Sequence, residues 1–321
     1  MEYVKLGDSG IEVSRVCAGC MSFGASQALG AWTLGQEETI EVVRRALDAG
    51  ITFFDTANVY SGGLSEEYLG RAVRDLVPRD QVVIASKVYN NEGKLSRAAI
   101  QREIEGSLRR LGMDYLDLYI IHRYDYTTPV EETLEALHGL VISGKVRALG
   151  ASAMYAYQFH TMQIIARDNG WTPFVSMQNH WNLLYREDER EMVPLCRQMN
   201  VALTPYSPLA AGRLSRPDWD ADTPRFRQDQ FAVGKYDGTR EQDIPIAQRV
   251  RETADRLGVT MSQVALAWLF QKGADSPIVG ATRAEYLEEA AGALSIRLTP
   301  EDVAFLEEPY LPHKVVGALL P

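Results

Sequence analysis

Eight times in succession this chain sets a short, largely β-branched apolar run ahead of a longer amphipathic one, an order few architectures accept. "VSRVCAG" (13–19) leads into "EETIEVVRRALDAG", "ITFFDTA" (51–57) into "SEEYLGRAVRDL", and "QVVIASKV" (81–88) into "SRAAIQREIEGSLRRLG". "LDLYIIH", "VRALGAS", "FVSMQNH" and "VALTPYS" continue the pattern, and "ADSPIVGA" before "RAEYLEEAAGAL" completes it. Near-continuous apolar strands are those covered on both faces. Several helical stretches stop at a glycine, Gly50, Gly112 and Gly258, where the left-handed C′ position suits a residue without Cβ. Eight strand–helix units fit a parallel (β/α)8 TIM barrel within the α/β class. An open, doubly wound sheet has the same order along the chain, and strand count alone does not separate the two.

The opening "YVKLGDSGIEVS" reads as a β-hairpin with a Gly-Asp-Ser-Gly turn, placed to plug one barrel end. No linker or low-complexity tract interrupts the 321 residues, so one domain over 1–321 is expected. The irregular stretch from about Arg213 to Asp243, after strand seven, reads as a long loop, a lid or a binding segment.

A formal net charge of −10 argues against a nucleic-acid surface or an anionic membrane as the main partner. No apolar run approaches the length of a membrane helix, and the N-terminus does not read as a targeting segment, so a cytoplasmic location is expected. Cys17 and Cys20 form a CxxC without a second pair for zinc, and Cys17 at a strand end reads as a small buried side chain. The five histidines show neither HExxH nor HxH, so no metal site is expected.

In a barrel of this kind the C-terminal strand ends and the loops behind them line the site. Those ends read Asp55 and Tyr60, then Lys87, then His122, followed by Ser152, Gln178 and the "PYSPL" segment at 205–209. Each polar residue interrupts an apolar strand at its exit. Read as structure alone, Lys87 and Asp55 form a buried ion pair with Tyr60 packed over it, and His122 is merely hydrogen-bonded in place. Read as chemistry, the four suit proton transfer. A neighbouring ammonium favours the phenolate and lowers the tyrosine pKa from about 10. Asp55 keeps Lys87 charged, and His122 orients a carbonyl oxygen near the phenol, which makes a general acid for carbonyl reduction. Neither GxGxxG after a strand nor GxxxxGK[ST] is present.

At these residues the chain resembles an aldo-keto reductase over essentially its full length. "GITFFDTANVYSGGLSEEYLGRAV" is similar to the family's strand-two signature, "RRLGMDYLDLYIIHRYD" to the segment that carries its histidine, and "PYSPLAAG" and "PIVGATRAEYLEEA" to its two cofactor segments. The resemblance implies a barrel that reduces aldehydes or ketones with NADPH, NADH being less favoured. It implies that Tyr60 is the proton donor, that Asp55 and Lys87 tune it, and that His122 orients the carbonyl. For the cofactor it implies that Ser152 and Gln178 hold the nicotinamide carboxamide and that Tyr206 stacks on the ring. Ser207, Leu209 and Gly212 would meet the pyrophosphate, with Arg213 beside them, and Gly280, Thr282 and Arg283 the adenosine 2′-phosphate. Arginine suits that phosphate through its planar fork.

Two departures stand out. Ala153 occupies a position where the family often has Asn, and Tyr286, Glu289 and Ala290 stand where Gln and Asn often bind adenine, with Glu289 kept among the cofactor residues. "GAWTL" at 30–34 and the ending "PYLPHKVVG" resemble a bacterial branch that includes a reductase linked to deoxyxylulose phosphate formation. Trp32, Tyr89, Tyr124 and Trp181 follow or flank strand ends and are candidates for an aromatic substrate pocket. Two other readings compete: a cofactor-binding module resembling channel-associated β subunits, and a sugar-phosphate isomerase or lyase with Lys87 as a Schiff-base lysine.

Overall fold

The computed structural model describes residues 1–25, 30, 32–219 and 227–318. Eight short strands form one sheet: β3 (Cys17–Gly19), β4 (Phe53–Asp55), β5 (Val83–Val88), β6 (Leu116–Ile121), β7 (Val146–Ser152), β8 (Phe174–Gln178), β9 (Ala202–Leu203) and β10 (Ile278–Gly280). Their order is β10-β3-β4-β5-β6-β7-β8-β9, and every pair is parallel. Backbone bonds from Asp275 N–H to Leu203 O and from Ile278 N–H to Pro205 O, both 2.9 Å, join the last strand to β9. The ring is therefore closed, and the open doubly wound alternative falls.

Helices α1 (Gln36–Asp48), α2 (Leu64–Leu76), α3 (Arg97–Leu111), α4 (Val130–Ile142), α5 (Ala156–Asp168) and α6 (Met192–Gln198) follow the successive strands around the outside. Local chemistry sets their ends. Ser96 caps α3 by accepting the Ala99 N–H, and Gly112 closes the same helix at φ +64°. Gly50 and Gly258 likewise sit at φ +78° and +66° after their helices, in the left-handed region that penalises a Cβ.

The hairpin is real and it does plug the barrel. β1 (Tyr3–Lys5) pairs antiparallel with β2 (Glu12–Ser14). Leu6 and Val13, fully buried, pack in one interior cluster with Phe53, Ala85, Leu118, Ala148, Ala202 and Ile278. That cluster has a further use. Stepping along each strand by two residues keeps a side chain on the same face. From Phe53, Ala85, Ile120, Ala148 and Ala202 the steps reach Asp55, Lys87, His122, Ser152 and Tyr206.

The helices Met261–Gln271 and Pro300–Glu307 lie outside the eightfold alternation. The first was invisible to a search for a one-sided apolar stripe because Val264 through Leu269 are all buried. The long connection is also less irregular than expected. It holds a turn at Ala210–Gly212, a helix over Gln230–Tyr236 and a turn at Asp237–Thr239, and the next helix opens at Arg240 rather than beyond Asp243. Residues 220–226 of that connection lie outside the described residues. Among the described residues no helix is long and apolar enough to cross a membrane.

Candidate active site

Lys87 organises the mouth of the barrel. Its side chain is fully buried, and its Nζ donates to an Asp55 carboxylate oxygen, to Thr56 O at 2.8 Å and to Tyr60 Oη at 3.2 Å. The second Asp55 oxygen accepts the Gln178 side-chain N–H at 2.9 Å. Burial alone pulls a lysine toward the neutral form, but the charges and hydrogen bonds of Asp55 and Tyr60 outweigh it and raise the Lys87 pKa. An ammonium held this way has no free lone pair, so the Schiff-base reading of Lys87 is not supported.

Tyr60 arrives from a tight turn rather than from a strand. Ser61, Gly62 and Gly63 take φ values of +50°, +66° and +100°, and Ser61 Oγ pins the turn to Phe23 O at 2.9 Å. Because the phenol oxygen accepts from Lys87, its own hydrogen is free to donate elsewhere. Lys87 does pull the Tyr60 pKa down, as expected, but the net shift is not downward. Burial raises it first, the Lys87 charge only partly offsets that, and Asp55 adds to the rise, so the net direction is upward. Tyr60 is therefore a firmly protonated phenol in this state.

The His122 ring meets Tyr60 edge to face, with centroids 5.9 Å apart and planes at 82°. Its backbone N–H donates to Val88 O at 2.9 Å, extending the β5–β6 pairing past the strand ends. Burial, then the charges of Lys87, Arg123 and Lys235, hold its pKa well below the ordinary value, so the imidazole is neutral. Together the four residues form a compact unit of a protonated phenol, a fixed cation with its counter-ion, and a neutral imidazole.

Around it stand the residues expected to hold a cofactor. Ser152 Oγ donates to Gln178 O at 2.8 Å, so the two neighbouring exits are tied together. The half-buried Tyr206 ring has His180 stacked on it at 5.1 Å and 8°, and Tyr185 stacks on His180 in turn at 4.2 Å and 14°. Lys235, on the helix Gln230–Tyr236, places its ammonium 4.4 Å from the Tyr206 ring centre. After Tyr206 the backbone takes positive φ at Ser207 (+54°), Ala210 (+48°), Ala211 (+55°) and Gly212 (+100°). Three of these four are not glycine, and such strain gathers where a loop is shaped for a ligand. A right-handed residue followed by a left-handed one, as Leu209 is followed by Ala210, points successive amides into an anion-binding concavity. Ala153 also lies at positive φ, +47°.

Gly280, the last residue of β10, and Arg283, the N-cap of the helix Ala284–Gly292, are exposed, and Thr282 between them is half-buried. Leu209 is half-buried within the strained turn. Arg213 is committed elsewhere: its guanidinium bonds Asp237 at 2.6 Å and lies over the Trp219 and Tyr236 rings, bracing the segment that follows the turn. Glu289 takes the Thr260 hydroxyl hydrogen at the cap of the helix Met261–Gln271, on the outer layer of the barrel.

The four aromatic candidates divide. Tyr124 is half-buried and meets Tyr126 edge to face at 4.9 Å, while Trp32 and Tyr89 are each 8% exposed. Trp181 is fully buried, with its indole N–H on Glu189 at 2.9 Å and its ring against Trp268 at 6.1 Å. It offers no surface to a substrate, and its place in a pocket wall is withdrawn. Sequence reading passed over His180, Lys235 and Asn90, the last of which lies 3.4 Å from His122. "QNH" at the exit of β8 was the available signal for the first.

A closed parallel barrel whose mouth gathers a phenol, a paired ammonium and a neutral imidazole defines a class of enzyme that moves protons at a carbonyl or an alcohol. The chain belongs to the aldo-keto reductase family, whose model, described as the Aldo/keto reductase family, matches residues 15–310. Versiconal hemiacetal acetate reductase of Aspergillus parasiticus is 42% identical, with 98% of each chain covered. A putative aryl-alcohol dehydrogenase of Schizosaccharomyces pombe is 41% identical over 99% of this chain and 98% of its own. A thermostable aldo-keto reductase solved with the inhibitor epalrestat superposes with a TM-score of 0.76 at 29% identity, covering 96% of this chain and all (100%) of its own. The protein is thus an oxidoreductase acting on carbonyl and alcohol groups, from a family that generally uses nicotinamide cofactors. Both curated relatives named here are fungal, and they lend no support to the finer placement in a bacterial branch.

Proposed function

We propose that this protein reduces aldehydes or ketones to alcohols with NADPH, using Tyr60 as proton donor, Lys87 and Asp55 to position and tune it, and His122 to orient the carbonyl. The observation that carries the reading is the reach of one buried ammonium, Lys87 Nζ, to both Asp55 and the Tyr60 oxygen. When bound, the reduced nicotinamide supplies the hydride that the carbonyl carbon accepts. Lys87 fills one lone pair of the phenol oxygen, so the Tyr60 proton points away from it toward a substrate oxygen. As that proton leaves, the phenolate forms beside a cation already in place, which stabilises the developing charge without reorganisation.

Ser152 and Gln178 would hold the carboxamide, Tyr206 the ring, and the strained turn from Ser207 through Gly212 the pyrophosphate. The left-handed backbone at four positions of that turn fits an anion held by amides. Arg283, exposed at the opening of a helix with Thr282 beside it, supports NADPH over NADH. Aromatic carbonyl compounds are the proposed substrate class. The name of one relative, a putative aryl-alcohol dehydrogenase, points there, and Trp32, Tyr89 and Tyr124 supply aromatic surface near the mouth.

The test is NADPH consumption with a panel of aromatic aldehydes and diketones, with cofactor affinity measured in parallel by fluorescence. Wild type is expected to turn over. Tyr60→Phe should bind NADPH normally and lose about 100- to 10,000-fold in kcat/KM, the range typical of a positioned general acid. Full activity in Tyr60→Phe would overturn the assignment, and failure to bind NADPH would overturn the cofactor.

A further inference from the structure

A neutral imidazole carries one N–H, and which nitrogen holds it is decided by what the other nitrogen meets. At His122 the surroundings are asymmetric. Nδ1 lies 3.4 Å from the side-chain amide nitrogen of Asn90, whereas Nε2 has no protein partner among the described residues. An amide N–H donates and does not accept, so with the Asn90 nitrogen turned toward it Nδ1 is set to offer its lone pair. The charged groups around the ring, Lys87, Arg123 and Lys235, are all cationic and disfavour a second proton.

Asn90 is well placed to hold this geometry. The turn after β5 is tied down by its neighbour: Asn91 Oδ1 accepts from Tyr89 N–H at 3.1 Å and from Asn58 Nδ2 at 3.2 Å, and Asn91 Nδ2 donates to Lys94 O at 3.0 Å. Asn58 is anchored in turn by Glu103 at 2.9 Å. The backbone that carries Asn90 is therefore fixed from three sides, although its own side chain is exposed.

We propose that Asn90 is a positioning residue that sets His122 in the Nε2–H tautomer, so that Nε2 donates the hydrogen bond that aligns the substrate carbonyl oxygen beside Tyr60. The proton on Nε2 stays on the ring throughout, and the transferred proton comes from Tyr60. In the opposite tautomer Nε2 presents a lone pair to the carbonyl oxygen, and the two repel. The catalytic consequence rests on the proposed reduction, but the tautomer does not.

The test is nitrogen-15 NMR of histidine-labelled protein without cofactor, at about pH 8.5 so that the ring is neutral, with His122 assigned by the loss of its signals in His122→Asn. Wild type should show a bare Nδ1 and a protonated Nε2. Asn90→Asp, which replaces the donor with an acceptor of the same shape, should move the proton to Nδ1. Steady-state reduction by Asn90→Asp should then fall about a hundredfold in kcat, the order seen when one oriented donor is lost, with NADPH affinity unchanged. Asn90→Ala should give a mixture of tautomers and an intermediate rate. A protonated Nδ1 in wild type, or an Nε2–H that persists in Asn90→Asp, overturns the proposal. The predicted tautomers without turnover of any carbonyl would leave the tautomer assignment standing and sink the reductase reading instead.

Discussion

At the scale of single residues, the buried Lys87–Asp55 pair has both a structural and a chemical character, and its energetics separate them. Lys87→Met leaves a carboxylate buried with, among the described residues, only Gln178 to satisfy it, an arrangement that destabilises by about 3–5 kcal/mol. The double variant Lys87→Met/Asp55→Leu should recover much of that stability in denaturant unfolding while remaining inactive. Equal loss in the single and the double variant would show that the pair contributes nothing as a pair. Most of these residues were legible because polar side chains broke apolar strands at a fixed phase, and period-two counting puts Asp55, Lys87 and His122 on one face. The Tyr60 pKa was not legible in the same way. A neighbouring ammonium can be read from sequence order, but the degree to which the fold excludes water from the phenol cannot.

At the scale of elements, the packing of α2 on α3 depends on Gly70. A Cβ built there would lie 2.1 Å from the Leu111 carbonyl oxygen and 2.6 Å from its carbon, both backbone atoms that cannot swing aside. Alanine is the better helix former by up to about 1 kcal/mol, so propensity and packing disagree in sign. Packing wins: Gly70→Ala should destabilise by about 2 kcal/mol and lower the Tm by several degrees, with kcat unchanged. A Tm equal to or above wild type would show that the two helices slide apart without penalty. The same contrast explains the missed helix at Met261–Gln271. Its start was written in the sequence, since Thr260 and Gln263 exchange bonds of 3.2 Å in a capping box. Its body was not, because a helix buried on every side has no stripe to find. The connection after β9 failed in the opposite direction: a polar stretch read as loop holds the helix Gln230–Tyr236, anchored by Tyr236 Oη to His180 at 2.9 Å and to Asn182 at 3.2 Å. Such tertiary bonds between distant segments leave no periodic trace.

At the scale of the whole molecule, the N-terminal hairpin and the segment from Tyr310 to Ala318 lie at opposite ends of the barrel. The C-terminal segment crosses the mouth, with Tyr310 Oη on Glu187 at 2.6 Å, His313 on Asp243 at 2.9 Å and Val316 N–H on Tyr185 Oη at 3.2 Å. Beneath it lies a cavity of about 180 Å³, lined in part by Tyr206, Val315, Val316 and Asp188. Burial raises the Asp188 carboxyl to about 7, the nearby Asn179 side chain opposing and the charge of Glu187 reinforcing the rise. A carboxyl whose folded pKa lies above its unfolded value binds more protons when folded, so its contribution to stability falls as pH rises between the two. Asp188→Asn should therefore raise the Tm at about pH 8 and lose that gain as the pH falls through about 7 toward 4. A gain that is the same at every pH would mean that the carboxyl does not titrate as described.

Gly317, at the end of that crossing, accepts a hydrogen bond from Arg123, and a Cβ built on it would lie 2.4 Å from Tyr206 Oη. The consequence is practical. An affinity tag or fusion partner joined behind this glycine pulls on a segment seated against the ring expected to receive the nicotinamide. One joined before the hairpin at Tyr3 hangs from the sealed floor and leaves the mouth alone.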